Sequence, residues 1–533
     1  MKVPNIYIKF CTLFLLLILF TGCKDFEEMN QNPSTSTDMD PNIMLPTIQM
    51  QLSGGMFEQW RNGFIYSEEW MQHWAGEYAS TEFGGKGQKS DVYMTALWDT
   101  QYPREVKNVV DMVIRTTDDE TKVNINAVSR IMKTYIFSRL TDLYGDLPYF
   151  EAGTGYYNNV LAPKYDPQQD IYNDFFLELD KATKALDASK DPITQDLYFN
   201  GDISKWKKFG NSLRLRLAMR LTKADIAKAQ TEAEAAIAGG TMESNGDMAV
   251  MQHIDVPFGG DVFGGNGTSY VFMNSSPAES TFRISTTLAD YLVNTSDPRL
   301  RIFAASYLKD ENRTDVTDAV LASLGSYQDM SLLPSKFLYE ATGGPITVDV
   351  NGTPTEIARA YQLMQPSKYI SKIDAPYVMM SYAEVELWKA EAAFRGWNTG
   401  ASAADHFSKA LDAGVKQMTV YGAPEVAQSA VDNFVAANPL TAGKELEQIN
   451  SQLWVNFVMN GQEAYANWRR SGFPALIYPN PVPGVNQSNG QIPRRMQYPV
   501  NEYLLNGANV AEAVARIPGG ADDWTARVWW DKE

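Results

Sequence analysis

A cysteine placed for lipid attachment carries the most specific chemistry in this sequence. Cys23 follows the small residues Thr21 and Gly22, after an eleven-residue apolar run over 10–20 that two lysines precede. A basic head, a short apolar run and small residues form a secretory signal peptide, and the run is shorter than the roughly 20 residues that span a membrane. Bacterial lipoproteins are cleaved and acylated at such a cysteine, although Phe20 stands where leucine is usual. We predict an acylated Cys23; an ordinary secretion signal is the alternative.

The sequence offers little for catalysis. Cys11, the one other cysteine, lies in the signal, so the mature chain would have no disulfide, thiolate metal site or free nucleophilic thiol. His73, His253 and His406 lack zinc spacing, and we interpret them as structural or surface residues. The glycine-rich stretch 259–267 lacks the Lys-Ser/Thr of a phosphate loop. We expect no catalytic residue, no metal and no cofactor, although the 64 acidic residues leave a two-carboxylate glycosidase open.

Aromatic rings are the side chains best suited to binding. The chain has 12 Trp, 27 Tyr and 24 Phe, and they are densest over 57–102. Flat rings pack against the C–H faces of sugars, while polar side chains bond the hydroxyls. Phe83 and Tyr93 flank the loop 84–87, where a ring has fewer core partners. We therefore predict that both contact a ligand.

Three further rings are weaker candidates for ligand binding. Tyr270 and Phe272 lie in a central stretch rich in loop-forming residues. Trp74 belongs to the same aromatic-rich region as Phe83, but its four-residue spacing from Trp70 and Tyr78 favours the core face of a helix.

The charge of the chain excludes several partners. Formal net charge is −18, and removal of the two lysines with the signal would make it about −20. An acidic surface disfavours nucleic-acid binding, which needs basic patches, and electrostatic docking on anionic lipid. Membrane attachment would therefore come from the acyl chains.

The elements that would position these residues are mainly helices. Apolar residues recur every three or four positions in four stretches, each presenting one apolar face. These stretches cover 171–186, 206–221, 383–394 and 446–457. A helix over 380–396 is followed by 401–413, where Ala403, Phe407 and Ala410 have the spacing of a tetratricopeptide repeat. We predict packed helix pairs rather than a regular solenoid, because no 34-residue repeat persists.

A stretch over 241–375 interrupts the helices. It is rich in Gly, Asn, Ser and Thr, and a strand pair over 345–350 and 355–357 is expected to turn at Asn351-Gly352. Loops on a rigid helical base usually carry function. The chain therefore divides into a signal peptide (1–22), a lipidated tether (23–41) and one domain (42–533) with a loop-rich insert at about 241–375.

Six motifs follow one another along the chain. They are Asp142–Tyr149, Tyr165–Tyr172, Gly201–Arg214, Ser381–Ala392, Glu463–Gly472 and Pro493–Pro499. Each is weak alone, but in this order behind a lipid-attachment signal they are specific. The chain resembles the SusD/RagB lipoproteins, in particular their starch-binding-associated branch. Lys24 followed by acids is similar to that family's surface-export signal, or is a solvated charge cluster.

The resemblance implies a mainly α fold. Four tetratricopeptide-like helix pairs would form a right-handed scaffold with a loop-rich, minor-β face. It implies a non-enzymatic, lipid-anchored protein on the outside of the outer membrane, which binds oligosaccharides or peptides as the lid of a SusC-like TonB-dependent transporter barrel. The residues Asp142–Tyr149 and Trp468–Arg470 are interpreted as packing positions, and the resemblance places no ligand residue. A surface glycoside hydrolase and a purely structural or adhesive protein are the alternatives.

Overall fold

Helices account for most of the described chain, which confirms the predicted fold class. The computed structural model describes residues 39–55, 58–76, 79–256, 264–273, 280–325, 343–478 and 484–533. Cys23 and the predicted signal peptide lie outside these residues. Within them the α-helices are α1 Pro41–Gly54, α2 Glu68–Met71, α3 Asp91–Met94, α4 Ala96–Gln101, α5 Lys107–Thr116, α6 Val123–Tyr144, α7 Gly155–Asn158, α8 Gln168–Ala185, α9 Ile203–Arg220, α10 Ile226–Ala238, α11 Gly267–Phe272, α12 Thr286–Asn294, α13 Leu300–Phe303, α14 Thr317–Leu324, α15 Arg359–Gln362, α16 Tyr382–Phe394, α17 Ala403–Lys416, α18 Gln428–Ala437, α19 Glu445–Asn456, α20 Gly461–Ser471, α21 Val500–Leu505 and α22 Gly507–Arg516.

Wider and tighter helical turns supplement the α-helices. In the described ranges, three π-helical segments cover Gln59–Ser67, Ser80–Gly85 and Tyr102–Val106, and two 3₁₀ turns cover Asn245–Asp247 and Gln417–Tyr421. π-Helical turns are rare and occur often at functional sites. All three of these π-helical segments carry rings of the aromatic-rich region over 57–102.

Four helix pairs form the scaffold. Helix α6 packs against α8, α9 against α10, α16 against α17, and α19 against α20. Side-chain caps set the starting points of α9, α16, α17 and α20, since Asp202, Ser381, Ser402 and Asn460 each accept a hydrogen bond from a backbone N–H in the first helical turn. One cluster of buried apolar residues extends from Leu45 to Trp530.

Buried ion pairs join these helix pairs in the core. Arg216 of α9 lies 2.5 Å from Glu384 of α16, and its neighbour Arg220 lies 3.2 Å from Asp142 of α6. Arg220 also pairs with Glu463 of α20. All five side chains are nearly inaccessible to solvent. Several sequence motifs therefore serve packing, because their charged residues neutralise one another inside the scaffold.

The strands are short, and those described form four antiparallel pairs. They are β1 Trp74–Ala75 with β3 Arg283–Ile284, β2 Ala249–Met251 with β8 Tyr377–Met380, β4 Ala304–Ala305 with β7 Gln365–Pro366, and β5 Ile346–Val350 with β6 Thr353–Ile357. The predicted hairpin is present as β5 and β6. Asn351 and Gly352 turn it with φ of 53° and 83°.

The described part of 241–375 contains only short elements, and its longest helix, α12, has nine residues. Around the hairpin, Val316, Val320, Val348 and Ile357 form a small apolar cluster separate from the main core. The loop-rich character of the stretch is as expected, and the division of the chain into signal, tether and domain stays a prediction.

The helix predicted through Trp70, Trp74 and Tyr78 is wrong at Trp74. Helix α2 ends at Met71, and Gln72 adopts a left-handed conformation with φ of 55°. Trp74 then pairs with Ile284 in a strand instead of continuing the helix. Tyr78 lies outside the described residues.

Candidate ligand site

Three partly exposed rings lie together at the surface. The ring centroid of Tyr93 is 5.0 Å from that of Phe83, at an interplanar angle of 84°, and 5.9 Å from that of Trp60, at 50°. All three rings pack against the main core on one side and remain partly accessible to solvent. We call Trp60, Phe83 and Tyr93 the aromatic cluster. Phe83 and Tyr93, predicted from the sequence, are thus brought together, while their binding of a ligand stays a prediction.

Two packed π-helical segments position the cluster. Trp60 lies in Gln59–Ser67 and Phe83 in Ser80–Gly85, and these segments contact each other. Their approach depends on Gly84, because a Cβ atom there would lie only 1.8 Å from the carbonyl oxygen of Ile65. The sequence therefore needs glycine beside Phe83.

The loop that follows Phe83 is held by a distant part of the chain. The hydroxyl of Tyr478 donates to the Gly84 carbonyl. The backbone N–H of Gln487 donates to the Gly87 carbonyl at 2.7 Å, and the Gln487 side-chain oxygen accepts from the Lys89 N–H at 2.7 Å. These bonds give Phe83 and Tyr93 a fixed backbone although the intervening loop is short of apolar residues.

Charged residues of both signs lie near the three rings along the chain, or pair with residues that do. Lys86 lies 2.6 Å from Glu82, and Arg104 lies 3.7 Å from Glu58. A carboxylate oxygen of Asp91 accepts from the Val500 N–H at 3.3 Å. Such a mixture of donors and acceptors beside rings suits a neutral ligand rich in hydroxyl groups.

A buried carboxyl lies behind the loop. Glu69 accepts a hydrogen bond from the Gly76 N–H at 3.3 Å, and burial raises the pKa of Glu69 well above its usual range. A carboxyl with a raised pKa can act as a catalytic acid when it meets substrate. Because Glu69 is only 1% exposed, we interpret it as a neutral packing residue.

The weaker candidate rings belong to the core. Trp74 and Phe272 are completely buried, with centroids 4.9 Å apart, and the Trp74 indole N–H donates to the Val458 carbonyl at 3.2 Å. Tyr270 is 8% exposed. In this structure none of the three joins the aromatic cluster, and Trp74 and Phe272 offer no face to a ligand.

Trp60 is the ring that sequence reasoning missed. It belongs to the aromatic-rich stretch over 57–102, yet nothing in its spacing separates it from the many rings there that are buried. What brings Trp60 to the surface is its place in a π-helical segment. The pattern of apolar residues does not reveal such a segment, so the sequence carries no signal for this ring.

The three histidines have structural partners, as predicted. Nδ1 of His73 lies 2.6 Å from Glu68, and Nδ1 of His406 lies 2.8 Å from Glu386. His253 bonds the Ser53 hydroxyl at 2.9 Å, and burial lowers the pKa of His253 to about 4. The described residues contain no group of three potential metal ligands.

A cavity of about 390 Å³ lies beside two of the sequence motifs, and it shares no lining residue with the aromatic cluster. Four of its charged lining residues form ion pairs: Arg516 lies 2.5 Å from Asp146, and Arg527 lies 2.8 Å from Asp531. In the described part of the chain, no helix has the length and apolarity needed to cross a membrane.

Comparison with known proteins agrees with this architecture. Residues 32–499 match a family model, SusD-like_2, described as starch-binding associating with outer membrane. A search of functionally curated proteins finds no match.

Solved structures match nearly the whole chain. One, named a chitin-binding protein, is 39% identical, with 93% of this chain and 100% of that chain covered and a TM-score of 0.79. A second, named Bacteroidetes AC2a SusD-like, is 31% identical at the same coverage, with a TM-score of 0.85. A chitin-binding SusD homologue from Flavobacterium johnsoniae, at 23% identity, 92% and 98% coverage and a TM-score of 0.68, shares the fold. With this helical scaffold and a family match over most of its length, the chain belongs to the SusD-like family.

Proposed function

We propose that this protein binds oligosaccharides at the cell surface and delivers them to a TonB-dependent outer-membrane transporter, for which it acts as a lid. Family membership supports a role associated with starch binding and the outer membrane, and a relative that is 39% identical is named chitin-binding. The observation that carries the proposal is the aromatic cluster, since partly exposed rings are the side chains that stack on sugar faces.

The geometry of the cluster favours an extended ligand. Tyr93 stands nearly perpendicular to Phe83 and at 50° to Trp60. Rings set at large angles contact different faces of a chain molecule, whereas a single flat ligand would need parallel rings. Several sugar units, or one bent chain, could therefore contact the cluster at once.

Capture needs no bond cleavage. In our proposal the protein is not an enzyme, and an acylated Cys23 holds it on the outer face of the outer membrane. A ligand that bridges lid and barrel stabilises the closed state over the open state by its difference in affinity for the two. Transport of the ligand then follows from that shift in population.

Calorimetry with single-ring variants tests the binding site. Chitin and starch oligosaccharides are titrated into the wild type and into Trp60→Ala, Phe83→Ala and Tyr93→Ala. Loss of one stacked ring is expected to weaken binding by about 1–3 kcal/mol. Tyr156→Ala is the matched control, because that ring is 85% exposed and lies outside the cluster. Unchanged affinity in all three folded variants would remove the cluster from the site.

The same panel separates the alternatives. A peptide ligand is supported if peptides bind, oligosaccharides do not, and the three variants lose peptide binding, because an aromatic groove also suits peptide side chains. A glycoside hydrolase would release reducing ends from a polysaccharide, and one carboxylate substitution would abolish that release.

A further inference from the structure

Exposed apolar side chains surround the point at which the predicted tether leaves the helical scaffold. The carbonyl oxygen of Met39 accepts a hydrogen bond from the Arg115 guanidinium at 2.7 Å, which fixes this point on α5. Met39 is 41% exposed and Ile43, in the first turn of α1, is 56% exposed. The chain therefore joins the scaffold beside apolar surface.

An exposed loop is attached to the same turn of α5. The hydroxyl of Tyr157 donates to Asp111, and Asp111 lies 3.4 Å from Arg115, the residue that holds Met39. The neighbouring Tyr156 is 85% exposed and Leu161, at the other end of this loop, is 92% exposed. Through Tyr157, this loop is thus bonded to the turn of α5 that holds the exit point of the tether.

The loop continues to a second group of exposed leucines. The Asn506 side chain donates to the Pro163 carbonyl at 2.8 Å, and the Asn509 side chain donates to the Ala162 carbonyl at 3.1 Å. Just before them, the consecutive residues Leu504 and Leu505 are 77% and 79% exposed. Soluble surfaces rarely expose so many large apolar side chains in one region without a partner.

We infer that this surface rests on the lipid bilayer to which the protein is anchored. The tether-exit patch consists of Met39, Ile43, Tyr156, Leu161, Leu504 and Leu505. The inference rests on the lipid anchor of the proposed function and extends it. The acyl chains would hold the protein at the membrane, and the patch would determine which face of the protein contacts the bilayer.

The length of chain before the patch favours lipid as the occupant. About 16 residues separate Cys23 from Met39, so a bilayer-bound Cys23 lies at most about 55 Å from the exit point. A tether of this reach keeps the patch at high effective concentration next to the bilayer.

The chemistry of the patch also fits a lipid surface. Leucine and isoleucine insert at the headgroup boundary, and tyrosine favours the membrane–water interface. Charges beside the patch are of both signs: Arg115 lies 3.4 Å from Asp111, and the Glu151 carboxylate accepts from the Lys164 backbone N–H at 2.9 Å. Burial of apolar side chains, rather than attraction to anionic lipid, would therefore drive the contact, and it should persist at high salt.

A fluorescent label at the patch tests the inference. The full-length lipoprotein with Leu161→Cys is labelled with the environment-sensitive dye NBD and reconstituted into vesicles of phosphatidylethanolamine and phosphatidylglycerol. The expected result is a blue shift of the emission, with loss of emission when nitroxide-labelled lipid is included, at low and high salt alike. Ile226→Cys is the matched control, because it places the dye on an exposed apolar position of α10, outside the patch, and should show neither change.

The possible outcomes test membrane contact by the patch separately from attachment by the lipid anchor. Vesicle-bound protein whose dye at 161 behaves like the dye at 226 would overturn the inference and leave the anchor intact. A shift seen only in native outer-membrane fragments, and not in protein-free vesicles, would overturn it in favour of a protein partner. The parent chain without an added cysteine should bind vesicles and take up no dye. Labelling of the parent at Cys23 would refute acylation, and the inference with it.

Discussion

Glu391 and Arg470 form a buried ion pair that further polar side chains also bond. Both guanidinium NH₂ groups of Arg470 donate to Glu391 at 2.7 Å, Arg395 donates to the same carboxylate at 2.7 Å, and Asn450 donates at 3.2 Å. Burial alone would raise the pKa of Glu391, but the two arginines outweigh burial and hold this pKa at about 2. The carboxylate therefore stays charged in the core at every ordinary pH.

Glu391→Gln should lower the free energy of unfolding by about 3 kcal/mol at pH 7, because it leaves Arg470 charged and incompletely paired inside the protein. The folded pKa of about 2 lies below the ordinary 4.5, so the stabilisation by Glu391 is complete above pH 4.5 and is lost as the pH falls towards 2. Urea unfolding from pH 7 to pH 2 measures both effects. The free energies of unfolding of the wild type and Glu391→Gln should become equal as the pH approaches 2. Asp412→Asn, which breaks an exposed pair with Lys416, should cost less than about 1 kcal/mol. An equal loss of the free energy of unfolding in Glu391→Gln and Asp412→Asn would contradict this prediction.

The π-helical segments Gln59–Ser67 and Ser80–Gly85 are the elements that place the rings of the aromatic cluster at the surface. Each replaces the ordinary α-helical hydrogen bond with a longer one, which widens the turn and rotates the side chains that follow. Trp60 and Phe83 lie partly exposed on these turns, whereas Phe64 and Ile65 of the first segment are buried. The close contact at Gly84 keeps the two segments in register.

Gly84→Ala should therefore weaken ligand binding while the scaffold stays folded. The added methyl group would meet the Ile65 carbonyl oxygen, so the segment carrying Phe83 must move away from the segment carrying Trp60. Overpacking of this kind costs about 1–3 kcal/mol of stability. Gly507→Ala is the control, because no atom lies within 4 Å of a Cβ built there. Thermal unfolding and calorimetry are compared for both, and full affinity in Gly84→Ala would show that the contact does not position the site.

For the whole molecule, local patterns predicted the scaffold better than the site. The stripe over 206–221 runs along α9 to its C-cap Leu221, because apolar periodicity and a cap at Asp202 are encoded by neighbouring residues. Burial of the candidate rings depends on distant contacts, as with Trp74, whose indole bonds a carbonyl 384 positions away. Spacing assigned Trp74 to the core through a helix that the structure replaces with a strand, and it could not tell Trp60, at the surface, from the buried rings around it.

Removal of the anchor should change the location of the molecule without changing its fold. Cys23 precedes every described element and the scaffold is completed by its own buried core, so Cys23→Ala is expected to leave the melting temperature unaltered and to release the protein from membranes. Multiple acyl chains bind a bilayer stably, whereas the acidic mature chain, with a net charge of about −20, has no electrostatic attraction to anionic lipid. The tether-exit patch would orient a protein that the acyl chains retain. Fractionation with and without detergent measures the release, and Cys11→Ala, within the predicted signal peptide, should stay with the membrane. Folded Cys23→Ala protein that remained there would require a second means of attachment.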